Sequence, residues 1–322
     1  MKTIKIGAPY FMCIDEEAQK LYSIGHRTSV IDMNSATVQT QIKGFRYAGN
    51  MLFIHKYGLL FLVTNNDECW LLNINDYSIV KRFKYHVIDG NVCYDDIEEK
   101  IYVMGSSSSL WGNSLAVIDV KNGEITNYNY GCNIDDNHRR FYSLHRCSGG
   151  DIYLFESGFD PTAPSHKTAY TIYGRYNLEH GKLNLIEKIF QSNELLSHIA
   201  GKGNYLYVPG KCIYRVSEND IINYVNILGK AYWNMYESEN FFYFWNSFDV
   251  EIIRVTKDFK TVETVYTCGA GERIACYAES EKYKFLALEK CEESDKNGHP
   301  IPNKVKSRIL VFDKNEPITI NN

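Results

Sequence analysis

No two of the nine cysteines stand closer than the eight residues that separate Cys268 from Cys276. The sequence therefore offers no CxxC pair on which a zinc ribbon or a dithiol redox site could be built. An odd count without a framework reads as reduced, mostly buried thiols, which places the chain in the cytoplasm. The rival reading is a single disulfide between loop cysteines. Proline is scarce, with 7 residues, and no Gly/Ser-rich run marks a linker. No apolar stretch is long enough to cross a bilayer. The opening residues MKTIKIGAPYFMC lack the apolar core of a signal peptide, so no membrane partner is expected. A net charge of −4 without clustered Lys and Arg argues against nucleic acid. No Ser-centred nucleophile elbow and no HExxH appears, so no catalytic residue is assigned. Gly269-Ala270-Gly271 precedes no expected helix and reads as a turn rather than a phosphate loop. Nothing in the sequence calls for a metal or a cofactor.

Aromatic residues are abundant, with 25 Tyr and 16 Phe in 322 residues, and this favours sheet over helix. The run Asn91 to Ile125 shows why. An apolar stretch leads through the polar turn Asp95-Asp96-Ile97-Glu98-Glu99 into Ile101-Tyr102-Val103-Met104. A small polar connection, the strand Leu115 to Val120 and the turn Lys121-Asn122-Gly123 follow. Asn-Gly between β-patterned runs is a hairpin signal. The unit recurs. Its second strand begins at Lys20, Leu59, Lys100, Asp151, Tyr205, Phe241 and Lys284, and the next column reads Leu21, Leu60, Ile101, Ile152, Leu206, Phe242 and Phe285. The six intervals from Leu21 to Phe285 average 44 residues, the period of a four-stranded propeller blade. A third-strand triplet, Val30-Ile31-Asp32 or Val117-Ile118-Asp119, recurs in step. In the middle copies its Asp gives way to Asn177, Arg215 and Arg254.

With "LYSIG…SVIDMNSATVQTQI" and "IYVMG…LAVIDVKNGEI", the chain resembles the YVTN/YncE-like, WD40-like superfamily of seven-bladed β-propellers. The resemblance implies an all-β fold, a seven-bladed β-propeller of four-stranded antiparallel blades. A lone four-stranded sheet cannot bury both faces, and stacking copies does. One domain is expected, with blades at about 7–43, 47–84, 90–130, 140–190, 196–228, 231–267 and 273–322. Residues 1–6 would help to close the last blade, and the tail Ile318-Thr319-Ile320 competes for the same edge.

Extra length falls between the second and third strands at Ser106–Ser114, Ser157–Thr171 and Cys291–Lys306. In an up-and-down blade these connections share a face with the loops between blades, and long loops on rigid scaffolds carry function. The expected rim holds Arg46 and Tyr47, then His86 and Asp89, then Trp111, and then Asp135, His138, Arg139 and Arg140. Tyr232 and Trp233 follow, and Glu272 and Arg273 complete it. His198 is expected on the first strand of blade 5, with His145 and His55 on those of blades 4 and 2. The Asp135-to-Arg140 run lacks the alternating acids of a calcium loop and reads as a salt-bridged surface. Mixed charge with Tyr and Trp suits a protein or peptide partner, and secondarily a small polar ligand. The expected function is a binding scaffold. The competing one is a lyase or hydrolase that uses His with Asp or Glu at the channel mouth.

Overall fold

The computed structural model describes residues 1–7, 9–25, 27–43, 48–64, 68–85, 87–107, 112–130, 140–159, 169–193, 200–202, 204–246, 249–291 and 305–318. They form seven four-stranded antiparallel sheets, the blades of an all-β, seven-bladed β-propeller. The described helices are one 3-10 turn, His55–Tyr57, and one short α-helix, Tyr224–Leu228, which the sequence pattern does not announce. Strands are numbered first to fourth within each blade.

Burial explains the composition of each strand. Second strands are mostly apolar because both their faces are covered. Lys20–Gly25 and Leu59–Thr64 are buried at every position after the first. Third strands follow suit, as at Thr28–Asp32. Fourth strands, such as Thr37–Ile42, are mostly exposed and accordingly polar.

Each third strand must turn sharply into its fourth, and the recurring Asp organises that turn. The Asp32 carboxylate accepts the main-chain N–H of Ser35 at 2.7 Å, and Asp119 accepts those of Lys121 and Asn122 at 2.9 and 3.2 Å. Asn73 does the same for Asn75 at 2.8 Å. In blade 5, Arg215 stands opposite Tyr205 and pairs with Glu218 and Asp220 instead. In blade 6 the expected equivalence of Arg254 is corrected. Phe241 lies opposite Thr256, and the Thr256 hydroxyl donates to Asp258 at 2.6 Å. Arg254 sits two residues earlier and pairs with Glu263.

The described residues group into two compact units. The first holds blades 6, 7 and 1. Lys2–Ile6 is the outermost strand of blade 7, with Ile4 opposite Ile309 and only 4% exposed. Ile318 is buried beside it in the same core, and the rest of the tail lies outside the described residues. The Glu281 N–H donates to Glu16 of blade 1 at 2.8 Å. Glu279 is buried, pairs with Lys314 and accepts the Tyr277 hydroxyl.

The second unit holds blades 2 to 5. Here the reading of every cysteine as a reduced thiol is corrected, because Cys93 and Cys147 form a disulfide. They lie on strands rather than loops, on the first strands of blades 3 and 4, Val87–Asp95 and Arg140–Ser148. Their Cα atoms are 6.2 Å apart, within the range a disulfide spans. Sequence spacing cannot reveal such a pair, since a separation of 54 residues becomes a contact only when the blades stack. Closing a loop of that length restricts the unfolded chain by about 4 kcal/mol in the chain-entropy description. Cys13, Cys69, Cys212, Cys268 and Cys276 remain thiols.

Two carboxylates reinforce this unit. Asp95 is fully buried and accepts four main-chain N–H groups. Ile97 and Glu98 of its own turn donate at 3.1 Å each, and Gly149 and Gly150 of blade 4 donate at 2.9 and 2.8 Å. Gly149 and Gly150 both take positive φ, 62° and 85°, which lets their two N–H groups point at one acceptor. Glu99 pairs with Lys56 of blade 2 and Lys121 of its own blade.

These contacts predict acid lability. Burial raises the Asp95 pKa, but the four N–H donors outweigh it and leave the carboxyl below its ordinary value. Bonds from Lys121 and Lys56 hold Glu99 down to about 2. Both contributions are complete above the unfolded carboxylate values of about 4 and are lost as pH falls through the folded ones. Asp95→Ala should cost about 2 to 3 kcal/mol at pH 7, measured by urea denaturation. In Asp95→Ala and Glu99→Gln, stability should fall less steeply between about pH 4 and pH 2. Wild-type pH dependence in both variants would contradict this account.

Candidate functional site

The long connections expected at blades 3, 4 and 7 are not simple loops. In blade 3, Ser106 lies opposite Asn113 and Ser107 opposite Gly112. In blade 4 the ladder continues through Gly158 opposite Tyr170 to Phe159 opposite Ala169. In blade 7 it continues to Cys291 opposite Val305. The added residues therefore lengthen hairpins, and only 108–111, 160–168 and 292–304 lie beyond the described ladders.

Several expected site residues fall outside the described residues: Arg46, Tyr47, His86, Trp111, Asp135, His138, Arg139 and His198. Asp89 was expected in a loop, but its backbone belongs to the first strand of blade 3, in the irregular stretch between Val87 and Val92. His55 is not on the first strand of blade 2 but in the 3-10 turn after it. His145 does lie on the first strand of blade 4.

Four expected residues are described in the first unit, and they are placed quite differently. Tyr232 is 4% exposed, packed on Phe244 with ring centroids 5.6 Å apart, so its expected place on the open rim is corrected. Its phenol is raised above its ordinary pKa by that burial. Trp233, its neighbour, is 67% exposed. Glu272 and Arg273 open a strand, Glu272–Glu279, rather than ending a loop. Arg273 pairs with Glu289 at 2.8 Å directly across the ladder, and Glu272 pairs with Arg308 at 2.8 Å.

Trp233 is exposed but firmly held. Its main-chain N–H donates to Asn246 Oδ1 at 2.7 Å. The Asn246 amide donates in turn to the Ala231 carbonyl at 3.2 Å and to Asp249 at 3.0 Å. Lys230 closes the set with a 2.6 Å pair to the same Asp249 oxygen, which raises the lysine pKa. The Gly210 N–H donates to the Tyr232 carbonyl at 2.8 Å. A Cβ on Gly210 would stand 3.7 Å from the Trp233 ring, so the indole lies against bare backbone. Asn246 and Asp249 belong to no motif. No signal in the sequence marks them, since they meet Trp233 only through the folded hairpin.

In the second unit, blade 4 builds a tyrosine-rich carboxylate. Glu156 accepts hydroxyl protons from Tyr170 at 2.7 Å and Tyr176 at 3.2 Å. Tyr176 pairs with Ile152 two ladder steps from Leu154, and it reaches Glu156 by lying over Gly174. On the opposite face, His145 Nδ1 is 2.8 Å from the Tyr173 hydroxyl, and the Tyr173 ring stacks on Phe155 at 4.5 Å. His145 and Glu156 thus do not converge. Burial pushes the Tyr173 phenol up to about 12. Among the described residues no three His, Cys, Asp or Glu side chains gather as metal ligands.

No family model matches the chain, and no curated protein does either.

Gly174 tests the construction of blade 4. A Cβ there would lie 2.5 Å from Leu185 Cδ1, 2.8 Å from the Glu187 carbonyl and 3.1 Å from the Tyr176 ring. Gly174→Ala should cost about 1 to 3 kcal/mol through overpacking. Tyr176→Phe, which removes only the hydroxyl, should cost about 1 kcal/mol. Thermal melts of the two variants check this, and equal losses would mean that Tyr176 does not use the space over Gly174.

Proposed function

We propose that the chain is a binding scaffold, a single propeller domain that presents one loop- and hairpin-bearing face to a protein or peptide partner. The observation that carries this reading is Trp233. Large aromatics anchor interfaces when they are rigid before binding, because little side-chain entropy is then lost on docking. Trp233 has that character: it is mostly exposed, its backbone is fixed by Asn246, and its ring is backed by Gly210. The Lys230–Asp249 pair, joined to Trp233 through Asn246, supplies a polar edge of the kind that rims interface anchors. The sequence pattern groups Arg46 and Trp111 with Trp233, and both lie outside the described residues.

The YVTN/YncE-like superfamily is the grouping we favour, supported by the shared use of Asp32 and Asp119 to cap the third turn. Cytoplasmic residence is supported by the five cysteines that remain thiols, since secreted scaffolds tend to oxidise theirs. No described helix is long and apolar enough to cross a membrane.

The test is a pull-down from the native cell using wild-type bait, Trp233→Ala, and the Arg46/Trp233/Arg273 triple alanine variant. Trp233→Ala should weaken capture of the specific partner at least tenfold, about 1.4 kcal/mol or more, and leave the melting temperature unchanged. Recovery of every partner at wild-type levels by the triple variant would overturn the assignment of this face.

A further inference from the structure

The disulfide and the Asp95 clamp occupy the same seam. Cys93 and Cys147 sit on neighbouring first strands of blades 3 and 4, and the acceptor Asp95 lies two residues beyond Cys93. Its donors Gly149 and Gly150 lie two and three residues beyond Cys147. One turn of blade 4 is thus held twice, once covalently and once by hydrogen bonds to a buried carboxylate.

The surroundings decide what kind of disulfide this is. Cys13, Cys69, Cys212, Cys268 and Cys276 are thiols, so the bond stands in a chain that keeps these five cysteines reduced. Burial pushes the thiols of Cys13, Cys69 and Cys268 up to about 12, so they supply almost no thiolate near neutral pH. These three are therefore poor partners for exchange with the bond. Cys93 and Cys147 are only 7% and 9% exposed, so a reductant reaches sulfur only when the seam parts. Parting it pulls Gly149 and Gly150 away from Asp95. The blades on either side carry two of the lengthened hairpins, up to Ser107 opposite Gly112 and Phe159 opposite Ala169.

We propose that Cys93–Cys147 is a reversible redox clasp between blades 3 and 4, and that the Asp95 clamp gates access to it. A dithiol of the thioredoxin or dithiothreitol type is the reductant. Its thiolate attacks one sulfur, the Cys93–Cys147 bond breaks, and a mixed disulfide forms. The second thiol of the reductant then displaces the remaining cysteine sulfur. Two electrons and two protons pass to the protein, which ends with two thiols while the reductant becomes a disulfide. A small disulfide oxidant reverses the sequence. The clasp stands or falls separately from the Trp233 surface.

The experiment follows the full-length oxidised protein in excess dithiothreitol at neutral pH without denaturant. Samples are alkylated at intervals, and label at Cys93 and Cys147 is read by peptide mass spectrometry. Asp95→Asn and Gly150→Ala should speed reduction tenfold or more, because each weakens the clamp. Asp32→Asn, a turn carboxylate in blade 1, should leave the rate unchanged. Reduced wild-type protein should keep its circular dichroism spectrum and regain the bond on addition of oxidised glutathione. If Asp95→Asn does not fold, Gly150→Ala carries the rate comparison. Equal rates in wild type and clamp variants would overturn the gating. Irreversible unfolding on reduction would overturn the clasp, as would free-thiol labelling of Cys93 and Cys147 in protein oxidised by glutathione.

Discussion

Burial of the second strand on both faces is the constraint from which the rest of the structure follows. Residues such as Leu21, Leu60, Ile101, Ile152, Leu206, Phe242 and Phe285 are entirely removed from water. No isolated four-stranded sheet can do this, so every blade requires a neighbour on each side. The demand is steepest at the second strand and fades toward the fourth, where Thr37–Ile42 is left mostly to solvent. Several carboxylates survive inside where they join blades or close turns. Asp95, Glu99 and Glu279 are all of this kind, each buried with named partners.

That constraint also sorts what could be read from the sequence. Repeated burial imposes repeated composition, so the columns headed by Leu21 and Tyr22 gave the blades and their order, while the outermost strand of the last blade stayed open between Lys2–Ile6 and the tail at Ile318. Asp32 and Asp119 were legible as a motif because a sharp turn rewards a short acceptor. Arg254 misled because Ile-Ile-Arg-Val imitates Val-Ile-Asp-Met by hydropathy alone, while the register is fixed by Phe241 opposite Thr256. The cysteine pair stayed invisible for a related reason. Each partner sits in an apolar strand where a thiol is an ordinary small core residue, and only stacking shows which two meet.

The candidate site was less legible than the fold. Loop composition pointed to aromatic and charged residues around Tyr232 and Glu272, but it could not tell a residue that is displayed from one that is spent internally. Adjacent Tyr232 and Trp233 have opposite fates, one in the core beside Phe244 and one outside against Gly210. Arg273 and Glu289 satisfy each other because the strand begins at Glu272, earlier than the turn residues suggest. Hairpin extension likewise looks like loop insertion in a sequence, since short polar residues such as Ser106 and Ser107 hide a continuing ladder.

The pairing of Ile4 with Ile309 has a consequence for how the protein is made. On the ribosome, Lys2–Ile6 emerges well before Val305–Asp313, the edge it must dock on. Until that edge is made, its apolar side has no native home, and the last blade waits incomplete. Chaperone engagement during that interval, rather than the strength of any finished contact, would then govern how much of the chain reaches its native form.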